Sequence, residues 1–337
     1  MLTLVVVFLT SFGIITLRSV APFIFPAYYV YFVIAFLAFI FFAKLDFNVL
    51  SAFSNYFYVG SIIFLLLPLI VGQVTRGAVR WIPIGAATIQ PAEIVRPFLF
   101  IFFANYLTIQ KITRDRFFKT LGLLALPVFL ILVQPSLGVA VLTVIGFAGI
   151  LIASGLSKKT MFAAVLVGAL SLPVSWFLLA PYQKDRVLTF LSPYQDPFGA
   201  GYNSIQSMIS VGSGGLWGRG LGEGVQTQLA FLPERHTDFI FASVAEEFGF
   251  AGACLLLFGS FFLLYRIIKI MDFAGGGVAR AFLSGVFLTL LVQTVVHIGM
   301  NMGLFPITGV PLPLVSAGGS SLLATSITLG MAISTKK

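Results

Sequence analysis

Charge is what this 337-residue chain has least of. Only 9% of its residues are Asp, Glu, Lys or Arg, against about 25% in a soluble domain, so it cannot cover a globular surface with water-binding groups. Cys254 is the one cysteine, which excludes an internal disulfide. With two histidines, His236 and His297, the Cys and His spacings of zinc sites are absent. No GxxxxGK[ST] run and no GxSxG elbow occurs, which rules out a P-loop and gives a serine hydrolase no support. The opening MLTLVVVFLTSFGII lacks the basic region and small-residue site of a cleaved signal peptide. The net charge of +9 comes from cations scattered between apolar runs, the pattern that membrane topology imposes, and it does not point to nucleic acid.

What fills the chain is hydrocarbon. Fifty-nine per cent of it is hydrophobic, and residues 19–43, 47–75, 120–157 and 281–335 contain no Asp, Glu, Lys or Arg. A helix crossing a bilayer needs roughly 20 apolar residues. The runs and their turn signals predict an all-α integral membrane protein, a single domain over 1–337, with ten transmembrane helices. These are expected at 1–17, 27–43, 56–73, 93–110, 119–134, 138–154, 161–180, 239–265, 281–301 and 316–334. Loops on the side of the termini carry Lys44, Lys111, Arg114, Arg116, Lys119, Lys158, Lys159, Arg266, Lys269, Arg280, Lys336 and Lys337. The positive-inside rule therefore expects both termini in the cytoplasm, and a long extracytoplasmic loop, about 181–238, between spans seven and eight.

That loop is dense in glycine, above all GSGGLWGRGLGEG at 212–224, which permits tight turns and close backbone approach to a ligand. Lys184, Arg186, Arg219 and Arg235 alternate with Trp217 and apolar stretches such as SMISV, a mixture suited to a surface lying against the bilayer and meeting an anionic headgroup. At its end stands FLPERHTDFIFASVAEEFGF. Asp238 opens an apolar helix, where an acid is either a cap favoured by the helix dipole or a functional carboxylate. Glu246 and Glu247 follow about 12 Å deeper along a helix. Ionisable groups inside a span usually face an interior or a cavity. One of the two is expected to face that cavity and the other to pair elsewhere, with Arg80 or Arg96 as partners.

Two more polar elements belong to the same side. TRGAVRWIPIGAATIQPAEIVR, at 75–96, gathers Arg76, Arg80, Trp81, Gln90, Glu93 and Arg96 around a proline-broken helix start, and GLFPITGVPLPLVSAGGSS, at 303–321, holds three prolines. Broken backbone at membrane depth is tolerated only where protein buries it or it lines a cavity. The three elements are therefore expected to share one mouth. Gln293, His297 and Asn301 form a polar stripe at i, i+4, i+8 on the ninth span, expected to hydrogen-bond between helices.

At these motifs the chain resembles the SEDS family (shape, elongation, division and sporulation), which includes RodA, FtsW and SpoVE. The resemblance rests on GAVRWIPIG…QPAE, YQDPFGAGYNSIQSMISVGSGGLWGRGLGEG, LPERHTDFIFASVAEEFGF and PITGVPLPLVSAGGSS, and is most like RodA. It implies a ten-span glycosyltransferase of the bacterial cytoplasmic membrane that polymerises lipid II into glycan strands at the outer face. Its implied partners are a class B penicillin-binding protein and other membrane proteins of the elongation complex. It also implies that Asp238 is required for activity, that Trp81 is functionally important, and that Glu93, Glu246 and Glu247 are the family's glutamates. The chain departs from the family at Ala92 (usually Ser), Arg96 (usually Lys), Ser136 (usually Asp) and Ala317 (often Tyr).

A β-linkage made from an α-pyrophosphate requires inversion, hence one general base. Asp238 is expected either to take the proton of the acceptor hydroxyl or to ligate a divalent cation, Mg or Mn. Arg80, Arg186, Arg219 and Arg235 are expected to neutralise the leaving pyrophosphate, with Trp81, Glu93, Arg96, Glu246 and Glu247 completing the substrate site. A flippase moving the same lipid is the alternative reading.

Overall fold

A computed structural model describes residues 1–71, 73–75, 78–84, 87–110, 112–155, 176–177 and 179–336. Fourteen α-helices account for most of them. In lipid every backbone polar group must be satisfied within the protein, and runs of Leu, Ile, Val and Phe achieve this as helices whose side chains face hydrocarbon. The long elements are α1 (Leu2–Val20), α2 (Ala27–Lys44), α4 (Ser54–Val71), α7 (Arg114–Val133), α8 (Leu137–Ala153), α12 (Ile240–Asp272), α13 (Gly277–Asn301) and α14 (Gly319–Ser334). Short helices lie between them: α3 (Phe47–Ala52), α5 (Pro91–Ile94), α6 (Arg96–Thr108), α9 (Pro181–Leu191), α10 (Tyr202–Ser213) and α11 (Val225–Gln228). Among the described residues, six helices are long and apolar enough to cross a membrane: α1, α2, α4, α7, α12 and α13; α8 and α14 are shorter apolar helices. The span expected at 161–180 lies almost wholly outside the described residues.

The bundle has its charge-free side chains on the outside as well as within. Val33, Leu37 and Phe41 of α2, and Ile63 and Ile70 of α4, are exposed, as a lipid-facing surface requires. Inside, small residues let backbones meet. A Cβ on Gly149 would stand 2.7 Å from Ser284 O, and one on Gly285 2.8 Å from Gly146 O, so α8 and α13 cross at van der Waals distance through the small-residue packing favoured in membranes. α14 lies along α2, and α12 packs against α13, α1 and α10.

Two elements correct the all-helical, loop-and-span reading. Between α4 and α5, β1 (Gln73–Thr75), β2 (Ala78–Ile84) and β3 (Ala87–Ile89) form a three-stranded antiparallel sheet, with Val74 opposite Val79 and Ile82 opposite Ile89. Its β-branched and aromatic run AVRWIPI suits a strand. The segment expected as an open loop, 181–238, holds three helices. α10 is packed on α12 with Ser207 and Ser210 fully buried while Ile209 is exposed, so one face of SMISV is covered by the bundle and the other is open.

The eighth span is also broken. Gly249 has φ 68° and ψ −164° inside α12. The part beyond it, Phe250–Asp272, is roughly 34 Å long at 1.5 Å per residue, enough to cross a bilayer by itself. Residues 240–248 are therefore a separate half-helix at the bundle's end, and they carry the acids.

Candidate functional site

The half-helix starts from a tight turn. Asp238 N–H and Thr237 N–H both donate to Glu234 O, at 3.1 and 3.0 Å, and Thr237 Oγ1 donates to Glu234 Oε2 at 2.8 Å. The 303–318 segment closes over this turn. Ser316 Oγ donates to Thr237 O at 2.8 Å, and Ala317 N–H donates to His236 O at 2.9 Å. Gly309 faces the acid, since a Cβ placed there would come within 3.7 Å of Asp238 Oδ2. Arg235, three residues before Asp238, is tied to the end of α1 by Nε donating to Val20 O at 2.9 Å.

The second wall comes from 78–96 and the α7–α8 junction. Arg80 Nη1 donates to Pro135 O at 3.4 Å, and its guanidinium lies 6.0 Å from the Trp81 ring centre. Gln90 ties two neighbours together: its N–H donates to Ser320 Oγ at 2.8 Å and its Nε2 to Ser136 Oγ at 3.0 Å. Ser136 thus serves as a neutral acceptor in this wall. Glu93 and Arg96 are buried behind it, 6% and 5% exposed, and Glu93 lies in the electrostatic field of both Arg96 and Arg80. The walls meet at α8, where a Cβ on Gly138 would strike Val310 and approach Thr308 O. The 75–96, 234–239 and 303–321 elements therefore do converge at one end of the bundle.

The paired glutamates sit elsewhere and do something else. Glu246 is fully buried and accepts from Gln226 N–H at 2.8 Å and Thr227 N–H at 3.0 Å, amides at the start of α11. Glu247 Oε1 accepts from Ser19 Oγ at 2.5 Å and from Gly222 N–H and Gln228 Nε2 at 3.1 Å. Neither pairs with Arg80 or Arg96, which corrects the expectation; a buried carboxylate is satisfied here by backbone amides instead of a cation. These bonds fasten the 214–228 segment to the break in α12. Arg219 N–H and Gly220 N–H donate to Glu246 O and Glu247 O, while Phe250 N–H and Ala251 N–H donate to Gly215 O and Leu216 O. The backbone groups freed at Gly249 are thereby taken up. The glycines of GSGGLWGRG do allow close approach, but to the broken helix: a Cβ on Gly218 would lie 2.1 Å from Glu247 O.

Of the remaining cations, Arg219 is held at this break by its backbone and its side chain is exposed. Arg186 is exposed on α9, its guanidinium 6.0 Å from the Tyr182 ring, and no contact brings it to the two walls. Among the described residues no group of three or more His, Cys, Asp and Glu could hold a metal. One carboxylate still fits a hard cation such as Mg, which keeps several waters and shares substrate phosphates instead of a protein cage. Sequence reasoning missed the break at Gly249, because no proline marks it; the expected hydrogen bonding of the stripe between helices is seen at Asn301, which bonds Ala242 N–H and Asp238 O at the start of α12.

A broken helix and three polar elements converging at one end of an apolar bundle define a multi-pass membrane protein with a polar end. Comparison with known proteins agrees. The whole chain, residues 1–337, matches the family model for FtsW, RodA and SpoVE, described as cell cycle protein. It is 39% identical to the peptidoglycan glycosyltransferase MrdB of Escherichia coli K12 over 297 residues, 87% of this chain and 80% of that one. It is 38% identical over 301 residues to a probable peptidoglycan glycosyltransferase FtsW of Aliivibrio salmonicida, covering 86% and 74%. Its fold superposes on a chain of a solved peptidoglycan synthase complex with a TM-score of 0.85, 31% identity and coverage of 98% and 95%. The rod shape determining protein RodA of Thermus thermophilus matches with a TM-score of 0.75, 28% identity and coverage of 99% and 94%. The chain belongs to the SEDS family.

Proposed function

We propose that this chain is the elongation-type peptidoglycan glycosyltransferase of its cell, polymerising lipid II into β-1,4 glycan strands, with Asp238 as its general base. The observation that carries the assignment to Asp238 is its seat: a carboxylate on a turn held by Glu234 O and by the 316–317 backbone and side chain, facing Gly309. In-line attack by the acceptor 4-hydroxyl on the donor anomeric carbon forms the new C–O bond as the bond to the lipid pyrophosphate breaks. Asp238 takes the hydroxyl proton, and Arg235 and Arg80 face the charge that develops on the leaving group. When bound, a divalent cation, Mg or Mn, held by Asp238 and the pyrophosphate would supply further neutralisation. Trp81 and Arg80 give the mouth a flat amphipathic edge for the headgroup. Glu93 and Arg96 stiffen the wall behind it, and Glu246 and Glu247 anchor the 214–228 segment.

The topology we infer is ten spans, the Asp238 end extracytoplasmic and both termini cytoplasmic in the bacterial inner membrane. It is supported by Lys44, Arg114, Lys269 and Lys336, which lie at helix ends of the opposite face. A class B penicillin-binding protein is the proposed partner, because the similar solved chain belongs to a complex coordinating polymerization and crosslinking. Purified protein with that partner, supplied with lipid II, is expected to form glycan polymer, and Asp238→Ala to form none. Polymerisation at the wild-type rate by Asp238→Ala, or lipid translocation without polymer, would refute the assignment.

A further inference from the structure

The first turn of α12 does not close on itself. In an α-helix the amide of residue i bonds the carbonyl of i−4, which here would join Ala242 N–H to Asp238 O. Instead the Asn301 carboxamide, from the last turn of α13, takes both groups. Its Oδ1 accepts from Ala242 N–H at 3.0 Å, and its Nδ2 donates to Asp238 O at 3.0 Å. The same Nδ2 donates to His297 O at 2.8 Å, and Asn301's own carbonyl accepts from Ser207 Oγ at 2.9 Å. Asn301 is wholly buried. Regular bonding starts only one residue later, with Ser243 N–H donating to Phe239 O at 3.1 Å, and Phe239 itself has φ −118° and ψ 26°.

The geometry has a chemical logic. An amide side chain is an acceptor and a donor about as far apart as the two backbone groups it replaces, so it can stand between them without leaving either unpaired. A hydrocarbon side chain there would leave both to bond each other, drawing Asp238 into helical register and turning its Cβ away from its present direction. The same face of α13 fixes what Asp238 looks at. His297 Nδ1 lies 2.8 Å from Val310 O, and Gln293 Nε2 donates to Pro311 O at 2.8 Å. The stripe at 293, 297 and 301 thus holds both sides of the mouth: the backbone of Asp238 and the segment starting at Gly309.

We propose that Asn301 is a positioning residue for Asp238, a wedge that keeps the first turn of α12 open and so sets the direction of the acid. This rests on Asp238 being the catalytic base. The test compares Asn301→Asp and Asn301→Ala with wild type and Asp238→Ala, all purified with the partner and assayed on lipid II, with melting temperatures measured in the same detergent. Asn301→Asp keeps the shape and an acceptor for Ala242 but has no donor for Asp238 O; Asn301→Ala removes both.

A displacement of the order of 1 Å costs about 100-fold in rate. The expected result is therefore a kcat about 100-fold lower in both folded variants, with KM for lipid II within roughly twofold of wild type, since the loss falls on the transition state alone. Adding Asn301→Ala to Asp238→Ala should cost nothing further. Folded variants with wild-type kcat overturn the proposal, as does a lowered melting temperature with kcat intact, or a rise in KM alone. Failure of both variants to fold also overturns it, in favour of a purely structural role. If Asp238→Ala is active, the catalytic reading itself has failed; if it is dead while the Asn301 variants are not, only the wedge has.

Discussion

Gly218→Ala is the substitution that most directly tests how the broken helix is held. Gly218 has φ +84°, and the added methyl carbon would stand 2.1 Å from Glu247 O and 2.7 Å from Gly249 N. Both neighbours are backbone, so neither can swing aside, and the 214–220 segment must lift away from α12. Lifting it releases the bonds from Arg219 N–H and Gly220 N–H to the carbonyls of Glu246 and Glu247. A left-handed conformation costs a non-glycine residue roughly 1–2 kcal/mol, and each buried hydrogen bond left unmade about 1–3 kcal/mol. The expected destabilisation is ~3–5 kcal/mol. Gly212→Ala is the control, because nothing lies within 4 Å of its added carbon. Thermal unfolding in detergent, together with limited proteolysis across 214–228, measures the effect. Gly218→Ala should melt early and be cut faster at this segment, while Gly212→Ala should match wild type. Equal melting temperatures and equal cleavage for the two variants would refute the idea that this segment caps the break.

Glu246→Ala should leave the amides of Gln226 and Thr227 without acceptors, costing about 2–4 kcal/mol; faster proteolysis near 226 with KM for lipid II unaltered would mark Glu246 as an anchor and not a ligand. Arg80→Ala should raise KM for lipid II several-fold; unchanged KM would remove Arg80 from the mouth. Gly146→Val should force α8 away from α6, since even a Cβ there meets Phe100 Cζ at 2.0 Å, and overpacking of this kind costs typically 1–3 kcal/mol or more; a wild-type melting curve would contradict the packing described.

The spans were legible because hydrocarbon imposes one rule on every residue inside it, so the charge-free runs at 19–43 and 281–335 could only be helices and their links. The convergence of 75–96, 234–239 and 303–321 was legible for the complementary reason, since polar and proline-broken backbone has nowhere else to go in an apolar bundle. What stayed hidden depends on partners distant in sequence. FGF at 248–250 reads as uninterrupted helix, and only the bonds to Gly215 and Leu216 reveal why Gly249 breaks it. The small sheet was hidden for a different reason: Val, Trp and Ile are as natural in a span as in a strand. Glu246 and Glu247 looked like cavity acids, yet Glu246 is held by the amides of Gln226 and Thr227 and Glu247 Oε1 by Gly222 N–H, Gln228 Nε2 and Ser19 Oγ, and no side-chain pattern announces a backbone amide as partner.

That division between acids explains how one end of an apolar bundle can hold a reactive group. A buried carboxylate in low dielectric must be compensated; Glu246 accepts from two backbone amides and Glu247 Oε1 from three donors, which makes them struts, while Glu247 Oε2 is buried without a hydrogen-bond partner among the described residues. Asp238 is treated differently. It is held by its own amide, bonded to Glu234 O, and by its own carbonyl, bonded to Asn301. Anchoring through the main chain fixes where the Cβ points, which is what a preorganised catalytic group requires. The struts then act at one remove: by pinning 214–228 to the break, they hold the half-helix that directly follows the turn carrying Asp238. Activity should accordingly fall in a graded order, abolished at Asp238, strongly lowered at Asn301, and lowered at Glu246 only as far as the 214–228 segment loosens.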